Sequence, residues 1–294
     1  MKKVLITGEG SYIGTSFENW IKDHSDSIVT ETVDMKALSW REKDFGRYDA
    51  VFHVAGIAHA DVGKATEEQK ALYYRVNTDL AVECARKAKA EGVRQFIFMS
   101  SMIIYGRQEH ITVETSPKPE NFYGDSKWKA DCGVRELADE GFKVVVLRPP
   151  MIYGKDSKGN YPLLSKMAGK LPFFPKVNNR RSALYIGNLC EFVRLVIEEE
   201  KSGIYFPQNR ELFNTSELIR EIAKVQGHRI WVSMLFAPAV WVGKCMPGRI
   251  GGMCRKAFGS SYYDPEMSEY DFPYVLYTLG ESVELTEKGG KVCD

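Results

Sequence analysis

Compact apolar runs recur along the first half of the chain, separated by stretches that carry an apolar residue every three or four positions. Lys3–Thr7, Ala50–Ala55, Gln95–Met99 and Lys143–Leu147 have the pattern of buried strands, while Ile28–Val33 alternates apolar and polar residues. Six strands alternating with helices, with Lys143–Leu147 counted as the sixth, predict an α/β fold with a doubly wound parallel sheet.

The pattern changes after Pro150, where glycines and prolines break the chain into short elements. We therefore expect two domains. Residues 1–148 would carry the parallel sheet, and residues 149–294 would mainly form a smaller α+β domain for a substrate. Some segments, such as 183–199, are expected to pack back on the first domain.

Residues 231–258 are apolar and glycine-rich, and they contain the basic residues Lys244, Arg249, Arg255 and Lys256. A basic amphipathic element that touches a membrane is one interpretation. We favour the other, in which these residues form core helices of the smaller domain. No apolar run is long enough to span a bilayer.

Charge and cysteine content narrow the class of protein. The 294 residues include 40 basic and 39 acidic side chains, so no whole-protein field recruits nucleic acid or an anionic membrane. Six scattered cysteines without metal-ligand spacing predict reduced thiols in a cytoplasmic protein, and no metal site is expected. The N-terminal apolar run reaches Gly8 too soon for a signal peptide.

A glycine-rich turn joins the first strand to an amphipathic stretch, Ile13–Asp23. This is the context of a Rossmann dinucleotide site, because glycine lets the backbone approach a pyrophosphate and the helix N-terminus presents free N–H groups. A tight turn without a ligand is the alternative. The residues expected to contact the cofactor are Gly8, Gly10, Ser11, Tyr12, Ile13 and Gly14.

Asp34 ends the second strand, 20 residues beyond Gly14. An acid there would bind the ribose hydroxyls of NAD and repel the extra phosphate of NADP. Asp34 could instead lie near the adenine, with Glu31 as the competing acid, or be a solvated acid at a strand end.

Ligands of open α/β sheets lie beyond the carboxyl ends of the strands. Ser100 and Ser101 follow Gln95–Met99, and a hydroxyl there could share a hydrogen bond with a substrate alcohol. Alternatively, these serines cap the element that follows the strand and do not contact a ligand. His53, inside an apolar run, is interpreted as a satisfied core histidine.

Tyr123 and Lys127 are spaced to lie one helical turn apart on the same face. A nearby ammonium favours the phenolate, so Tyr123 could act as general base toward an alcohol and general acid toward a ketone. Farther on, Arg180 and Arg181 suit a diphosphate, although charge alone favours a surface pair.

Taken together, the Thr7-Gly8 turn, Ser101, Tyr123 and Lys127 resemble the extended short-chain dehydrogenase/reductase superfamily, in particular the NAD-dependent epimerases and dehydratases of sugar nucleotides such as UDP-glucose 4-epimerase. The resemblance covers nearly the whole chain and makes Ser101, Tyr123 and Lys127 the catalytic set. It adds Val54, Ala55, Gly56, Asn77, Tyr123 and Lys127 to the cofactor contacts of the turn and Asp34. The substrate contacts that it implies are Ser101, Met102, Tyr123, Met151 and Arg181.

The sequence departs from this family at several positions. Ser11 stands where the turn usually has its middle glycine, which could alter cofactor binding. Met151 stands where UDP-glucose 4-epimerases carry a substrate-binding asparagine, and Asn188 where many members have aspartate. Met102 and Ile103 replace the usual dehydratase acids after the catalytic hydroxyl, which disfavours elimination of water.

The resemblance implies an enzyme that uses NAD, or NADP, and acts at C4 of a nucleoside-diphosphate sugar, most simply a UDP-sugar. Epimerisation through a transient 4-keto intermediate is the favoured activity. The alternative enzymatic activity is reduction of nucleotide-linked 4-keto sugars. The non-enzymatic alternative is a catalytically silent sensor that binds a dinucleotide. A homodimer formed through the helices near Asn77 and Tyr123 is also expected.

Overall fold

The structure is a computed structural model that describes residues 1–58, 65–246, 251–252, 254 and 257–289. A parallel sheet forms its centre. Its strands are β1 (Lys2–Thr7), β2 (Ile28–Val33), β3 (Ala50–His53), β4 (Gln95–Met99), β6 (Lys143–Leu147) and β10 (Gly203–Tyr205), in the order β10-β6-β4-β3-β1-β2. The predicted doubly wound sheet is confirmed.

The runs recognised in the sequence supply five of these six strands. Lys143–Leu147 is therefore the fifth strand of the sheet in chain order and not the sixth, and the sixth, β10, was not predicted. It is only three residues long and pairs with the end of β6, Gly203 lying opposite Val145. A half-buried three-residue strand has no room for the periodic pattern by which longer strands are recognised.

Helices cover both faces of the sheet. They are α1 (Tyr12–His24), α2 (Glu67–Tyr74), α3 (Leu80–Ala90), α4 (Phe122–Arg135) and α6 (Ile186–Glu198), and a π-helical turn (Arg75–Asp79) joins α2 to α3. Residues of α1 and α6 share one buried cluster with β1, including Phe17, Phe192 and Val4. Residues of α3 and α4 pack on the other face.

A second lobe is built from short elements. Its strands form the pairs β7 (Met151–Tyr153) with β9 (Ala183–Tyr185), β8 (Phe173–Pro175) with β11 (Trp231–Ser233), and β5 (His110–Ile111) with β12 (Tyr262–Tyr263). Its helices are α5 (Asn160–Ala168), α7 (Thr215–Val225), α8 (Ala237–Cys245) and α9 (Leu279–Lys288). Single 3-10 turns lie at Leu38–Arg41, Met102–Tyr105, Met234–Phe236 and Pro265–Ser268. The lobe has its own core, which includes Phe174, Ile219 and Val283.

The expectation of core helices in residues 231–258 does not hold for the part up to residue 246. There, Trp231, Met234, Leu235 and Val242 are 72%, 70%, 86% and 53% exposed. An apolar sequence alone does not say whether an element packs against another, and β11, the 3-10 turn after it and α8 leave these side chains on the surface. Phe258 does pack against the core of the second lobe. Pro247, Arg249, Arg255, Lys256 and the Lys244 side chain lie outside the described residues.

No helix in the described ranges is long and apolar enough to cross a membrane. The five cysteines that the structure describes are free thiols.

Asn188 explains one departure from the family pattern. Its buried amide donates to the Asn209 side-chain oxygen and to the Tyr277 carbonyl, both at 3.1 Å. Its carbonyl oxygen accepts from the amides of Leu276 and Tyr277, both at 3.0 Å. A carboxylate could accept the second pair of bonds but could not donate the first, so this environment requires an amide.

We expect Asn188→Asp to lower the free energy of unfolding by about 2–4 kcal/mol at neutral pH, because a buried carboxylate would face two oxygens without a proton to donate. The loss should shrink in acid, where the carboxyl binds a proton. Urea unfolding near pH 7 and pH 5 measures both effects. The exposed Asn178→Asp is the matched control, and an equal loss in the two variants would contradict this account.

Candidate active site

The turn between β1 and α1 has the backbone geometry of a phosphate cradle. Gly8 has a φ of +111° and Gly10 of +69°, a region that favours glycine. A Cβ on Gly8 would lie 3.0 Å from the Ala55 amide nitrogen, and one on Gly14 would lie 3.0 Å from the Ile6 side chain. The turn stands between β1 and β3, where the strand order reverses and such folds bind their ligands.

Ser11 caps helix α1. Its φ of −72° suits any residue, and its Oγ accepts a hydrogen bond from the Gly14 amide at 3.2 Å, so the hydroxyl is used by the helix. The amides of Tyr12 and Ile13 occupy the first turn, where N–H groups have no intrahelical partner and suit an anion. The Tyr12 hydroxyl points to Gly154, 2.6 Å from where a Cβ there would lie, so a cofactor contact of Tyr12 rests on its backbone.

Asp34 lies half-buried at the carboxyl end of β2, beside the glycine turn, whose first amide donates to the Val33 carbonyl at 3.0 Å. The Asp34 Oδ1 accepts a hydrogen bond from the Lys36 amide at 2.9 Å. The competing acid, Glu31, is bound by two side chains. Glu31 accepts a hydrogen bond from the Tyr48 hydroxyl at 2.5 Å and pairs with Lys43. These two hydrogen bonds lower the pKa of Glu31. Asp34 is therefore the better candidate for cofactor ribose hydroxyls.

Beyond β3 the chain runs through Val54 and Ala55 to Gly56. Gly56 lines the bottom of the candidate site, and we call it the glycine floor. A Cβ on Gly56 would lie 3.1 Å from both the Asn77 side-chain oxygen and the Lys127 ammonium nitrogen. Asn77, fully buried in the π-helical turn, holds this floor by bonds of 2.8 and 3.0 Å to the amide and carbonyl of Ile57. The cradle, the acid and the glycine floor together fit a dinucleotide.

Tyr123 lies in the first turn of α4, which is capped by the Asn121 side chain accepting from the Gly124 amide at 2.9 Å. Burial raises the pKa of Tyr123 to about 12, a hydrogen bond with Ser101 acts against this rise, and Tyr73 adds to it. Ser101 follows β4 and also caps the 3-10 turn after it. The structure thus brings together the predicted hydroxyl and the predicted phenol.

Lys127 follows one turn later and is almost fully buried. Its ammonium donates to the Met99 carbonyl at 3.0 Å, next to the glycine floor, and lies 5.2 Å from the centre of the Phe98 ring. Burial lowers the pKa of Lys127 to about 8. The groups that set the pKa of Tyr123 are burial, Ser101 and Tyr73. A lowering of that pKa by Lys127 therefore stays a prediction.

A buried ionic network behind these residues was missed in the sequence. Asp131, with no exposed surface, accepts two hydrogen bonds of 2.9 Å from Arg148 and one each of 2.9 Å from Ser100 and Arg135. Arg148 also donates to the Tyr105 hydroxyl at 2.8 Å. One signal was available, since Asp131 follows Lys127 by four residues on the same helix face.

The predicted substrate residues lie where the second lobe meets the sheet. The sulfur of Met102 accepts a hydrogen bond of 3.4 Å from Ser261, and Ser261 in turn forms a β-bridge with Arg181. Burial lowers the pKa of the Arg181 guanidinium. Met151 pairs with Ala183, two residues beyond Arg181. Contacts of Met151 and Arg181 with a sugar or diphosphate stay predictions.

His53 lies in the core, as expected, but only one of its ring nitrogens is satisfied. Nδ1 lies 2.7 Å from the Thr7 hydroxyl, while Nε2 is buried without a hydrogen-bond partner in the described part of the chain. The ring stacks between Phe96 and Phe98. Burial, and then the charge of Lys127, lower the pKa of His53 to about 3, so its imidazole is neutral at physiological pH.

Comparison with known proteins identifies the class. Residues 4–206 match the sequence model of the NAD dependent epimerase/dehydratase family. The chain belongs to this family. It is therefore an NAD(P)-dependent enzyme of the extended short-chain dehydrogenase/reductase superfamily, and the resemblance seen in its motifs is confirmed.

Two relatives are similar to this chain in sequence, and one solved structure is similar to it in fold. The chain is 29% identical over 255 residues to UDP-glucose 4-epimerase of Vibrio cholerae, covering 78% of this chain and 77% of the relative. It is 27% identical over 271 residues to N-acetyl-alpha-D-glucosaminyl-diphospho-ditrans,octacis-undecaprenol 4-epimerase of Escherichia coli O157:H7, covering 85% and 78%. Bacillus anthracis dTDP-4-dehydrorhamnose reductase, solved with NADP, shares the fold with a TM-score of 0.72 at 18% identity over 99% of this chain and 100% of that one.

The burial of His53 predicts a loss of stability in acid. Its pKa is about 3 in the folded protein and near 6.5 when exposed, so between these values the unfolded chain binds the extra proton. Stability from this group is therefore complete above about pH 6.5 and falls by about 1.4 kcal/mol per pH unit below it. Between pH 7 and pH 5, we expect the free energy of unfolding of His53→Gln to fall by about 2 kcal/mol less than that of the wild type. Urea unfolding at the two pH values measures this difference. The exposed His24→Gln should follow the wild type; parallel pH profiles for all three proteins would refute this assignment.

Proposed function

We propose that this enzyme is an NAD-dependent 4-epimerase of a diphosphate-linked hexose, a nucleoside-diphosphate sugar in the first instance, and that it acts through a transient 4-keto sugar. The observation that carries the proposal is that Ser101, Tyr123 and Lys127 come together at one place: Ser101 lies close enough to the Tyr123 phenol to influence its pKa, and the buried Lys127 ammonium lies at the glycine floor. A serine and a tyrosine paired in this way can hold the oxygen of a secondary alcohol and move its proton.

Each member of the set has a separate task. Tyr123 takes the proton of the C4 hydroxyl as the alcohol becomes a ketone, and returns it as the ketone is reduced. Ser101 hydrogen-bonds the reacting oxygen and favours the phenolate. Lys127 holds the ribose next to the nicotinamide and adds positive charge near the phenol. When bound, NAD would supply the hydride acceptor and the hydride donor. Rotation of the 4-keto sugar between the two transfers would present its other face, which inverts the centre.

The resting protonation state of the pair is suited to the reductive half of the reaction. With a pKa of about 12, the Tyr123 phenol is protonated at neutral pH and can donate to a ketone. The oxidative half needs the phenolate, so the Ser101 hydrogen bond and nearby positive charge must lower that pKa when the substrate is in place. An epimerase has to run both halves in every turnover.

The relatives support action at C4 and a diphosphate as the shared feature of the substrate. The Vibrio cholerae and Escherichia coli relatives are both 4-epimerases by name, one of a UDP-sugar and one of a sugar diphosphate linked to undecaprenol. Arg181 is our candidate for gripping the diphosphate. Because the same fold also serves a reductase, the fold itself does not separate the two activities.

We expect Tyr123→Phe to reduce the conversion of UDP-hexoses and UDP-N-acetylhexosamines by about 10²-fold or more, because the proton then has no carrier. The matched control is Tyr74→Phe, a neighbouring tyrosine that donates to Asp125 and should keep its activity. Full activity in Tyr123→Phe would contradict the proposal.

The cofactor content of the purified protein separates the two activities. Release of a stoichiometric amount of NAD from the denatured wild type supports the epimerase, whereas a protein that is purified without cofactor and consumes NADPH would favour the reductase.

The proposed NAD preference depends on Asp34. We expect Asp34→Asn to raise the affinity for NADP relative to NAD about tenfold, since removing the carboxylate removes its repulsion of the 2′-phosphate. Cofactor titration followed by intrinsic fluorescence measures the ratio. Glu31→Gln is the control. Because the Glu31 carboxylate already binds Lys43 and Tyr48, this variant should leave the ratio unchanged. A shift in the control rather than in Asp34→Asn would reassign the ribose acid.

A further inference from the structure

The small net charge of the chain conceals an uneven distribution. Residues 157–190 and 222–263 contain no aspartate or glutamate and carry 12 of the 40 lysines and arginines. The remaining residues hold 28 basic and 39 acidic side chains. Most of both segments lies in the second lobe. Other parts of that lobe, such as α7 and α9, do carry acids, so the positive charge belongs to these two segments and not to the lobe as a whole.

An exposed apolar surface lies in the second of these acid-free segments, residues 222–263. It consists of Trp231, Met234, Leu235 and Val242, which are 53–86% exposed and which we call the apolar face. Three of them follow each other within five residues, from the edge strand β11 into the next 3-10 turn. Single exposed apolar residues are normal, but several large ones together mark a surface that binds something.

Exposed cations stand at the rim of the apolar face. Lys176 follows β8, and its amide bonds the Ser233 carbonyl at 2.9 Å. Lys170 and Arg229 precede the same two paired strands and are also exposed. Within the described ranges, none of these three side chains forms an ion pair, in contrast to Lys224 nearby, which lies 3.8 Å from a glutamate. They are therefore available to an anionic partner.

We propose that the apolar face docks on an anionic lipid bilayer. A bilayer offers acyl chains to the exposed side chains and negative headgroups to the cationic rim, and tryptophan favours the boundary between them. A second copy of this chain would bring two cationic surfaces together, which costs free energy. Nucleic acid would meet the rim but leave the apolar centre without a partner.

The position of the face relative to the site gives such docking a use. Lys176 precedes Arg181 by five residues, so the chain between them spans at most about 17 Å. A diphosphate held by Arg181 would then lie near the membrane surface, within reach of a substrate anchored there by a lipid chain. Docking itself does not depend on the proposed 4-epimerase activity and can be tested without a substrate.

The test is flotation of the full-length protein with vesicles of phosphatidylcholine alone and of equal parts phosphatidylcholine and phosphatidylglycerol. We expect binding to the anionic vesicles, weakening with added salt, and little binding to the neutral ones. The double variant Trp231→Ser, Leu235→Ser should bind about tenfold or more weakly, because two apolar side chains no longer enter the bilayer. Lys176→Glu with Arg229→Glu should weaken binding and flatten its salt dependence.

Matched controls come from apolar residues elsewhere on the surface. Leu38→Ser and Val113→Ser replace side chains that are 75% and 80% exposed and that do not belong to the apolar face, and both variants should bind like the wild type. The double variant could fail to fold, so thermal unfolding is measured for every variant. The single variant Leu235→Ser, at the most exposed position of the apolar face, provides a second test of the apolar contact. Absence of binding to anionic vesicles, or equal binding by the apolar variants, overturns the proposal. The proposal is also overturned if the wild type binds no vesicles but forms a dimer in sedimentation, and if the double variant is a monomer. That outcome would assign the apolar face to a second copy of the chain.

Discussion

The arrangement of the active site depends on the buried ion pair between Asp131 and Arg148. The carboxylate has no exposed surface, and the two groups meet through two hydrogen bonds of 2.9 Å. Such a pair contributes little by itself, but loss of one partner strands a buried charge at a cost of about 3–5 kcal/mol. That is a large part of the total stability of about 5–15 kcal/mol that is typical of a protein. The packing of α4 against the sheet is therefore firmly specified.

The positions of the proposed catalytic residues follow from this packing. Tyr123, Lys127 and Asp131 are spaced by four residues, so they share one face of α4. Asp131 bonds the hydroxyl of Ser100 after β4, and Lys127 bonds the carbonyl of Met99 at its end. Fixing the helix at these two points sets the distance from the phenol to Ser101. The second lobe is held to the same centre, since the Tyr263 hydroxyl donates to the Arg148 carbonyl at 2.7 Å.

Burial, more than charge pairing, sets the electrostatics of the site. It raises the pKa of Tyr123 and lowers those of Lys127 and His53, each time by disfavouring the charged form. The protein thus holds a neutral imidazole and a protonated phenol near a lysine that titrates close to physiological pH. Reactive groups arranged in this way respond strongly to any charge brought by a ligand.

The sequence by itself determined five of the six sheet strands and the glycine turn, because apolar runs and glycines before a helix are local patterns. Tyr123 and Lys127 were also visible as a pair one helical turn apart. Ser101 was assigned to them through the resemblance to the family, and the catalytic role of all three stays a prediction. The sequence did not reveal β10, the partners of Asp131, or why Asn188 must be an amide, since each depends on residues far away in the chain. Nor did it decide the fate of residues 231–246. Whether an apolar segment is buried depends on what the fold places against it, and here the tertiary structure leaves Trp231 and Leu235 on the surface.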